Sequence, residues 1–359
     1  MKILHLIDSL NPGGAERMAV GYVNALAEQG LSVYLWSSRE EGLLKESIHP
    51  KVNYHFLNRR GLVGIQALKE AIHLIKVENI QLIHAHTTSY VFGTLLKLFC
   101  KHLKLVWHDH HGNRPQSHTN RKKSLVFCSR YFDAVFTVNQ TLKDWHKAHL
   151  KTKNIYYIPN FVSLPQIDFK RKALWGTNKT IVCVANLRPP KNHQNLITAF
   201  SEVYKSHHDW KLQLIGKEKN DVYSKTLRAL IADLGLDKAV VFAGQQADVH
   251  SFLNKSSIGV LSSDMEGLPM SLLEYGLSCL PVVCTDVGYC SEVVQGFGKV
   301  VPPGDSNALA EALLYYIQNP GLAAADAAGL QKHVEETYTA QAVLPQVIEI
   351  YKRLLKIES

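Results

Sequence analysis

The sequence predicts an α/β protein of two domains, each a parallel sheet covered by helices, and three observations carry that reading. A chain of 359 residues is longer than one ordinary hydrophobic core supports and fits two domains of common size. Short apolar runs of strand length alternate with amphipathic runs of helical period, which is the pattern of repeated βαβ units. The alternation breaks once, at Ile158-Pro-Asn-Phe-Val-Ser-Leu-Pro165, and a charged, poorly periodic segment then runs to about residue 179.

Taken in order, a first strand is expected at residues 3–7, and Asn11-Pro-Gly-Gly-Ala-Glu16 leads from it into a helix at 15–29. Met18, Tyr22, Val23 and Leu26 share one face of that helix. Further strands are expected at 32–36, 52–57, 82–84, 105–107, 134–138 and 155–158, with helices between them. These make a first Rossmann-like domain over residues 1–163. Beyond the linker, strands at 180–185, 211–215, 240–242, 258–261, 282–284 and 299–301 make a second such domain over 164–339. The last helical run, 342–357, carries Leu344, Val347, Ile348, Tyr351, Leu354 and Leu355 at helical spacing.

Composition narrows the class. Hydrophobic content of 46% with 20% charged residues is that of a globular protein. The surplus of 40 basic over 31 acidic residues, +9 overall, favours anionic partners. Nucleic acid is the least favoured of them, because no run interleaves aromatics with arginine as a single-strand-binding groove would. Six cysteines without a Cys-x-x-Cys pair read as reduced core thiols of a cytoplasmic protein. The chain opens directly into a strand, so no signal peptide is expected, and no apolar stretch reaches bilayer-spanning length.

The chemistry concentrates in residues 262–284, where Ser-Ser-Asp-Met-Glu-Gly-Leu-Pro-Met-Ser-Leu-Leu-Glu leads from one apolar run toward another. Strand, loop, helix and strand in that order put the loop and the first helical turn at a sheet's carboxyl edge, where open parallel sheets bind ligands. Glu266 in the loop and Glu274 eight residues on are acceptors suited to hydroxyl-rich partners, while the backbone N–H groups of Gly267, Leu268, Pro269 and Met270 form a segment suited to an anion, proline excepted. Spacing alone would also fit a solvated loop carboxylate and another on a helix face.

The run Glu-Gly-Leu-Pro-Met-Ser-Leu-Leu-Glu, followed by Gly276 and Leu-Pro-Val-Val, resembles the Glu-x7-Glu signature of the retaining glycosyltransferases of GT-B family 4. The resemblance implies a GT-B fold: two Rossmann-like domains facing across a cleft, with the C-terminal helix, 340–359, crossing back to the first. It implies transfer of a sugar from a nucleoside diphosphate sugar, UDP favoured over GDP, to a glycan or lipid-linked glycan acceptor in surface polysaccharide synthesis. No metal and no other cofactor is expected. A relative acting on free nucleotide sugar, such as an epimerase or synthase, and a two-lobed small-molecule binding protein are the competing readings.

Roles then fall on matching positions. The resemblance implies that Glu266 bonds hydroxyls of the transferred sugar, that Gly267 to Met270 hold sugar or phosphate, and that Glu274 takes the ribose hydroxyls. Gly13, Gly14 and Glu16 match the family's N-terminal loop beside donor phosphates and acceptor, where two glycines let backbone approach a ligand closely. Within Val184-Ala-Asn-Leu-Arg-Pro-Pro-Lys191, Lys191 and Arg188 are the candidates to neutralise the diphosphate; Asn186 stands where the family usually has arginine. His110 is expected to donate to a sugar hydroxyl, with His111 the close alternative on the acceptor side. Adjacent histidines in Trp107-His-Asp-His-His111 read as an extended turn whose side chains diverge, which disfavours a metal. Lys97, Lys101, His102, Lys104 and Arg121-Lys-Lys123 make a basic zone that reads first as solvated helix surface, with peripheral contact with the inner face of an anionic membrane as the alternative.

Overall fold

A computed structural model of the protein describes residues 1–61, 63–110, 121–162 and 178–357, with backbone alone at 121 and 122. The expected linker, Pro165 onward, and His111 lie mostly or wholly outside the described residues. The chain forms two compact units, Met1–Ser163 with Ala340–Ser359, and Leu164–Thr339.

The first unit runs β1 (Lys2–Ser9), α1 (Gly14–Glu28), β2 (Ser32–Glu40), β3 (Asn53–Phe56), α2 (Ile65–Glu78), β4 (Leu82–His86), α3 (Tyr90–Phe99), β5 (Lys104–Asp109), α4 (Arg121–Cys128), β6 (Ala134–Thr137), α5 (Gln140–His149) and β7 (Ile155–Tyr157), and closes with α13 (Ala340–Leu355). Its seven strands pair in the order β3-β2-β1-β4-β5-β6-β7, all parallel. Strand order reverses between β1 and β4, which makes their carboxyl ends the expected binding edge.

Two faces of this sheet differ in chemistry. Leu4, Leu6, Ile83, Ala85, Leu105 and Trp107 point into an apolar core shared with Leu68, Ile75, Phe92 and Leu96. Residues two apart on a strand share a face, so the alternate positions His5, His84, His86 and His108 point the other way. There they meet Tyr22 of α1 and Tyr351 of α13. In α13 the buried residues are Ala340, Val343, Leu344, Val347, Ile350 and Tyr351. Ile348, Leu354 and Leu355 from the expected stripe are only half-buried, because the face turned inward is rotated from the one the apolar spacing picks out.

The second unit runs β8 (Thr180–Val184), α6 (His193–Ser206), β9 (Lys211–Ile215), α7 (Val222–Asp233), β10 (Val240–Gly244), α8 (His250–Leu253), β11 (Ile258–Leu261), α9 (Met270–Leu277), β12 (Val282–Thr285), α10 (Cys290–Val294), β13 (Lys299–Val301), α11 (Ser306–Gln318) and α12 (Pro320–Thr337). Six parallel strands pair as β10-β9-β8-β11-β12-β13, so the switch point falls between β8 and β11. Ile181, Leu196, Phe200, Leu212, Leu214, Val260, Leu309, Leu313 and Tyr316 are among its fully or nearly buried core. α7 and α11 each start where a short polar side chain satisfies an orphan N–H: Asp221 accepts from Ser224 N at 3.1 Å, and Asp305 from Ala308 N at 2.9 Å.

Strand ends depart from the sequence expectation where it matters most. β5 continues through His108 and Asp109, paired with β4 and β6 by His86↔His108 and Asp109↔Thr137. The stretch after Trp107 is therefore strand for two residues, not a turn, and His108 is a buried sheet residue. The apolar run ends at Trp107, but ladder pairing on both sides carries polar residues onward.

Candidate active site

In the second unit the candidate residues converge at the β8/β11 switch point. Lys191 Nζ donates to Glu266 Oε1 at 2.6 Å, and Ser263 Oγ donates to the same oxygen at 2.6 Å. The lysine side chain is 23% exposed and the glutamate 9%, so the pair sits in a recess with one edge open. The two loops are stitched by backbone as well. Ser262 Oγ donates to Lys191 O at 3.1 Å, Asp264 N to Pro190 O at 2.8 Å, and Asn192 Nδ2 to Asp264 Oδ1 at 2.7 Å.

The Glu266 loop is held from its other side. Tyr289 N donates to Gly267 O at 3.0 Å, and Gly288, at φ +59°, lies so close that a Cβ there would come within 2.2 Å of Glu266 O. Only glycine meets both demands. Leu268 and Pro269 are buried, whereas Met270 opens α9 half-buried and no side chain caps that end. The first N–H groups of α9 therefore remain as donors, with the positive end of the helix dipole behind them. Glu274 lies one turn into α9 and is buried. Beside it the fully buried Tyr275 accepts from Val184 N at 2.7 Å and donates to Val260 O at 3.2 Å, fixing α9 to both switch-point strands.

Arg188 is exposed on the β8–α6 loop and takes no part in the Lys191–Glu266 pair. Asn186, where the family usually has arginine, accepts from Lys217 N at 2.9 Å and so ties the ends of β8 and β9 together. Its role here is local bracing.

In the first unit Gly13 precedes α1 in extended conformation, Gly14 opens the helix exposed, and Glu16 lies in its first turn. A Cβ on Gly13 would come within 2.4 Å of a Glu16 carboxylate oxygen, so the loop is folded tightly against that side chain. His110 follows β5 and is half-buried; its Nε2 lies 3.0 Å from His86 Nδ1.

That bond belongs to a ladder of histidines. His86 Nε2 meets His5 Nδ1 at 3.0 Å, and His84 Nε2 meets His108 Nδ1 at 3.2 Å, while His84 Nδ1 is bonded to the Tyr351 hydroxyl. Burial lowers the pKa of His5 to about 3. It holds His84, His86 and His108 well below 6.5, with charge on neighbouring rings adding to the effect. The rings are therefore neutral near pH 7. Two triads, His5-His84-His86 and His86-His108-His110, each bring one ring nitrogen per residue within 4.8 Å, close enough to consider a cation. The ring planes vary: in the first triad His84 stacks on His86 at 15° while His5 is tilted 43° from His84, and in the second His110 lies at 16° to His86 and 28° to His108.

Two further groups at this edge were not expected from the sequence. Asp8, ending β1, accepts from Arg59 at 2.8 Å, Ser38 at 2.6 Å and Thr88 at 2.7 Å. Asp109 accepts from His146 at 2.8 Å with both side chains fully buried. Isolated charged residues give no sequence signal for such pairs, but His-x-His at 84/86 and 108/110, read with strand periodicity, would have found the ladder.

Two family models match the chain: "Glycosyltransferase Family 4" over residues 12–165 and "Glycosyl transferases group 1" over residues 166–332. An uncharacterized glycosyltransferase of Haemophilus influenzae is 25% identical over 278 residues, 76% of each chain. The amylovoran biosynthesis glycosyltransferase AmsD of Erwinia amylovora is 25% identical over 324 residues, 84% of this chain and 85% of that one. Among solved structures, Anabaena HepE in complex with UDP and glucose superposes with a TM-score of 0.82 at 21% identity, covering 98% of this chain and 99% of that one, a likeness of fold. With both matched segments together spanning most of its length, the chain belongs to the GT-B glycosyltransferases of family 4.

Proposed function

We propose that the protein is a retaining, metal-independent glycosyltransferase that moves a sugar from a UDP-sugar to a glycan or lipid-linked glycan acceptor during surface polysaccharide assembly. The observation that carries this is the Lys191–Glu266–Ser263 cluster at the β8/β11 switch point, one loop away from the α9 N-terminus and Glu274. Glu266 accepts from hydroxyls of the transferred sugar and Glu274 from the ribose. Lys191 and the first N–H groups of α9 meet the diphosphate, where charge builds as it leaves. The sugar–phosphate bond breaks, the acceptor oxygen bonds the same face of the anomeric carbon, and the acceptor's proton passes to the leaving phosphate. His110, or His111, bonds a hydroxyl of the reacting sugar. AmsD, named for amylovoran biosynthesis, supports the setting, and HepE, solved with UDP and glucose, supports the donor.

UDP is expected to raise the melting temperature more than GDP or NAD, since a ligand present at 100 times its Kd adds about 2.7 kcal/mol. Glu274→Ala should abolish that rise while the unliganded melting temperature holds. Nucleotide affinity unchanged in the variant would overturn the ribose role. Incubation of UDP-sugars with polyprenyl diphosphate sugars, read by mass spectrometry, then identifies the transfer.

Peripheral membrane docking is proposed from the end of α3. Phe99 is 62% exposed, Phe127 54% and Leu98 43%, beside exposed Lys101, His102 and Arg130. Lys97 and Lys104 both pair with Asp133, so they add less to this face than the sequence suggests. No helix among the described residues is long and apolar enough to cross a membrane. Phe99→Ser combined with Phe127→Ser should weaken sedimentation with phosphatidylglycerol vesicles by roughly tenfold or more, from the apolar area lost. Equal sedimentation of variant and parent would remove the surface from consideration.

A further inference from the structure

Glu266 is held by two donors of different character, and both take the same oxygen. Lys191 Nζ and Ser263 Oγ each reach Oε1 at 2.6 Å, while Oε2 accepts no hydrogen bond among the described residues. An ammonium is a compact charge on a flexible stem with three rotatable donors, so it attracts a carboxylate without fixing the plane in which the carboxylate lies. A hydroxyl offers one hydrogen. When the backbone carrying that hydroxyl is itself fixed, the single donor sets which oxygen is taken and where the other one points.

The backbone of Ser263 is fixed in this way. The residue is fully buried just past β11, and its carbonyl accepts from Thr285 Oγ1 at 2.6 Å, where β12 ends. Ser262 before it is equally buried and donates to Lys191 O at 3.1 Å. Adjacent serines thus brace the two members of the ion pair separately, Ser262 through the backbone of the cation and Ser263 through the side chain of the anion. Beyond Glu266 the loop is clamped again, by Tyr289 N on Gly267 O at 3.0 Å and by the close approach of Gly288 to Glu266 O. The freedom left to the carboxylate is rotation about its own side-chain bonds, and the Ser263 hydrogen bond restricts that. The Glu266 side chain is only 9% exposed, so an oxygen with little water around it gains from a donor that a ligand brings.

We propose that Ser263, held by Thr285, is a positioning residue that commits Oε1 of Glu266 and so leaves Oε2 as the acceptor for a hydroxyl of the transferred sugar. This rests on the reading of Glu266 as the sugar-binding carboxylate. Lys191 balances the charge of Glu266 and Ser263 gives it direction. Loss of the serine hydroxyl is therefore felt in recognition of the sugar and not in that of the nucleotide.

Calorimetric titration separates the two. UDP, UDP-glucose, UDP-galactose and UDP-N-acetylglucosamine are each titrated into the parent protein, and the sugar nucleotide bound most tightly relative to UDP becomes the probe. In Ser263→Ala the affinity for that probe relative to UDP should fall roughly tenfold, the order of one hydrogen bond to a charged group, with UDP affinity itself little changed. A loop that had merely loosened would weaken both ligands together, so equal losses overturn the proposal, as does an unaltered ratio. The route through Glu266 is read from paired variants. In a Glu266→Ala background Ser263→Ala should cost nothing further, because no carboxylate remains to be oriented, and additive losses overturn the proposal. Ser263→Cys, close in volume but a weaker donor, covers the case in which the alanine variant does not fold. It should show a smaller fall in the same ratio, and a ratio equal to the parent's overturns the proposal again. A parent protein for which none of the three sugar nucleotides outbinds UDP sinks instead the sugar role of Glu266, a failure of the underlying reading that is visible before any variant is made.

Discussion

Lowered from pH 7 to pH 5, the protein is expected to lose most of its folding free energy, because His5, His84, His86 and His108 resist protonation inside the sheet. Their folded pKa values lie below the unfolded value near 6.5, chiefly through burial. Above 6.5 neither state binds the protons and stability is intact. Below it the unfolded chain takes them up while the folded protein does not, until pH falls to about 3 for His5. Each such group costs about 1.4 kcal/mol per pH unit over the range in which it stays neutral in the folded protein, so four together cost at most about 5.6 kcal/mol per unit, a large fraction of the usual stability of a domain. Thermal melts followed by circular dichroism from pH 7.5 to 5 measure it. A constant melting temperature over that range would mean the ladder accepts protons while folded.

Lys191→Ala should lower turnover by about 100- to 1000-fold at saturating donor, the cost of removing one donor aimed at charge that develops in the transition state. A structural cost accompanies it. Glu266, whose side chain is only 9% exposed, loses its cation and keeps Ser263 as partner, and a nearly buried carboxylate without its counter-charge destabilises its loop. Lys191→Ala with Glu266→Gln separates the two, since the neutral amide relieves the stability loss without restoring the cation. Turnover within threefold of the parent in Lys191→Ala would place the phosphate clamp elsewhere on the protein.

Much of the fold was legible because its signals are local. Strand-length apolar runs reported the strands of both sheets, and α1 buries Met18, Tyr22, Val23 and Leu26 as its spacing implied. Errors came where polar residues continue a strand. His86, His108 and Asp109 carry no apolar signal, yet neighbouring strands on both sides pair them into the sheet. At the candidate site, Glu266, Glu274 and the loop between them were visible through a dense motif. The partnership of Glu266 with Lys191 was not, nor was the bracing role of Asn186 against Lys217.

What the sequence determined by itself was the type and order of elements and the residue kinds delivered to each loop, because side-chain period follows from backbone geometry within a few residues. Only the tertiary structure decided which loops and strands meet. His5 reaches His86 across 81 positions and Lys191 reaches Glu266 across 75, contacts fixed by strand order and register. Register depends on burying whole faces at once, and no short window of sequence contains that choice.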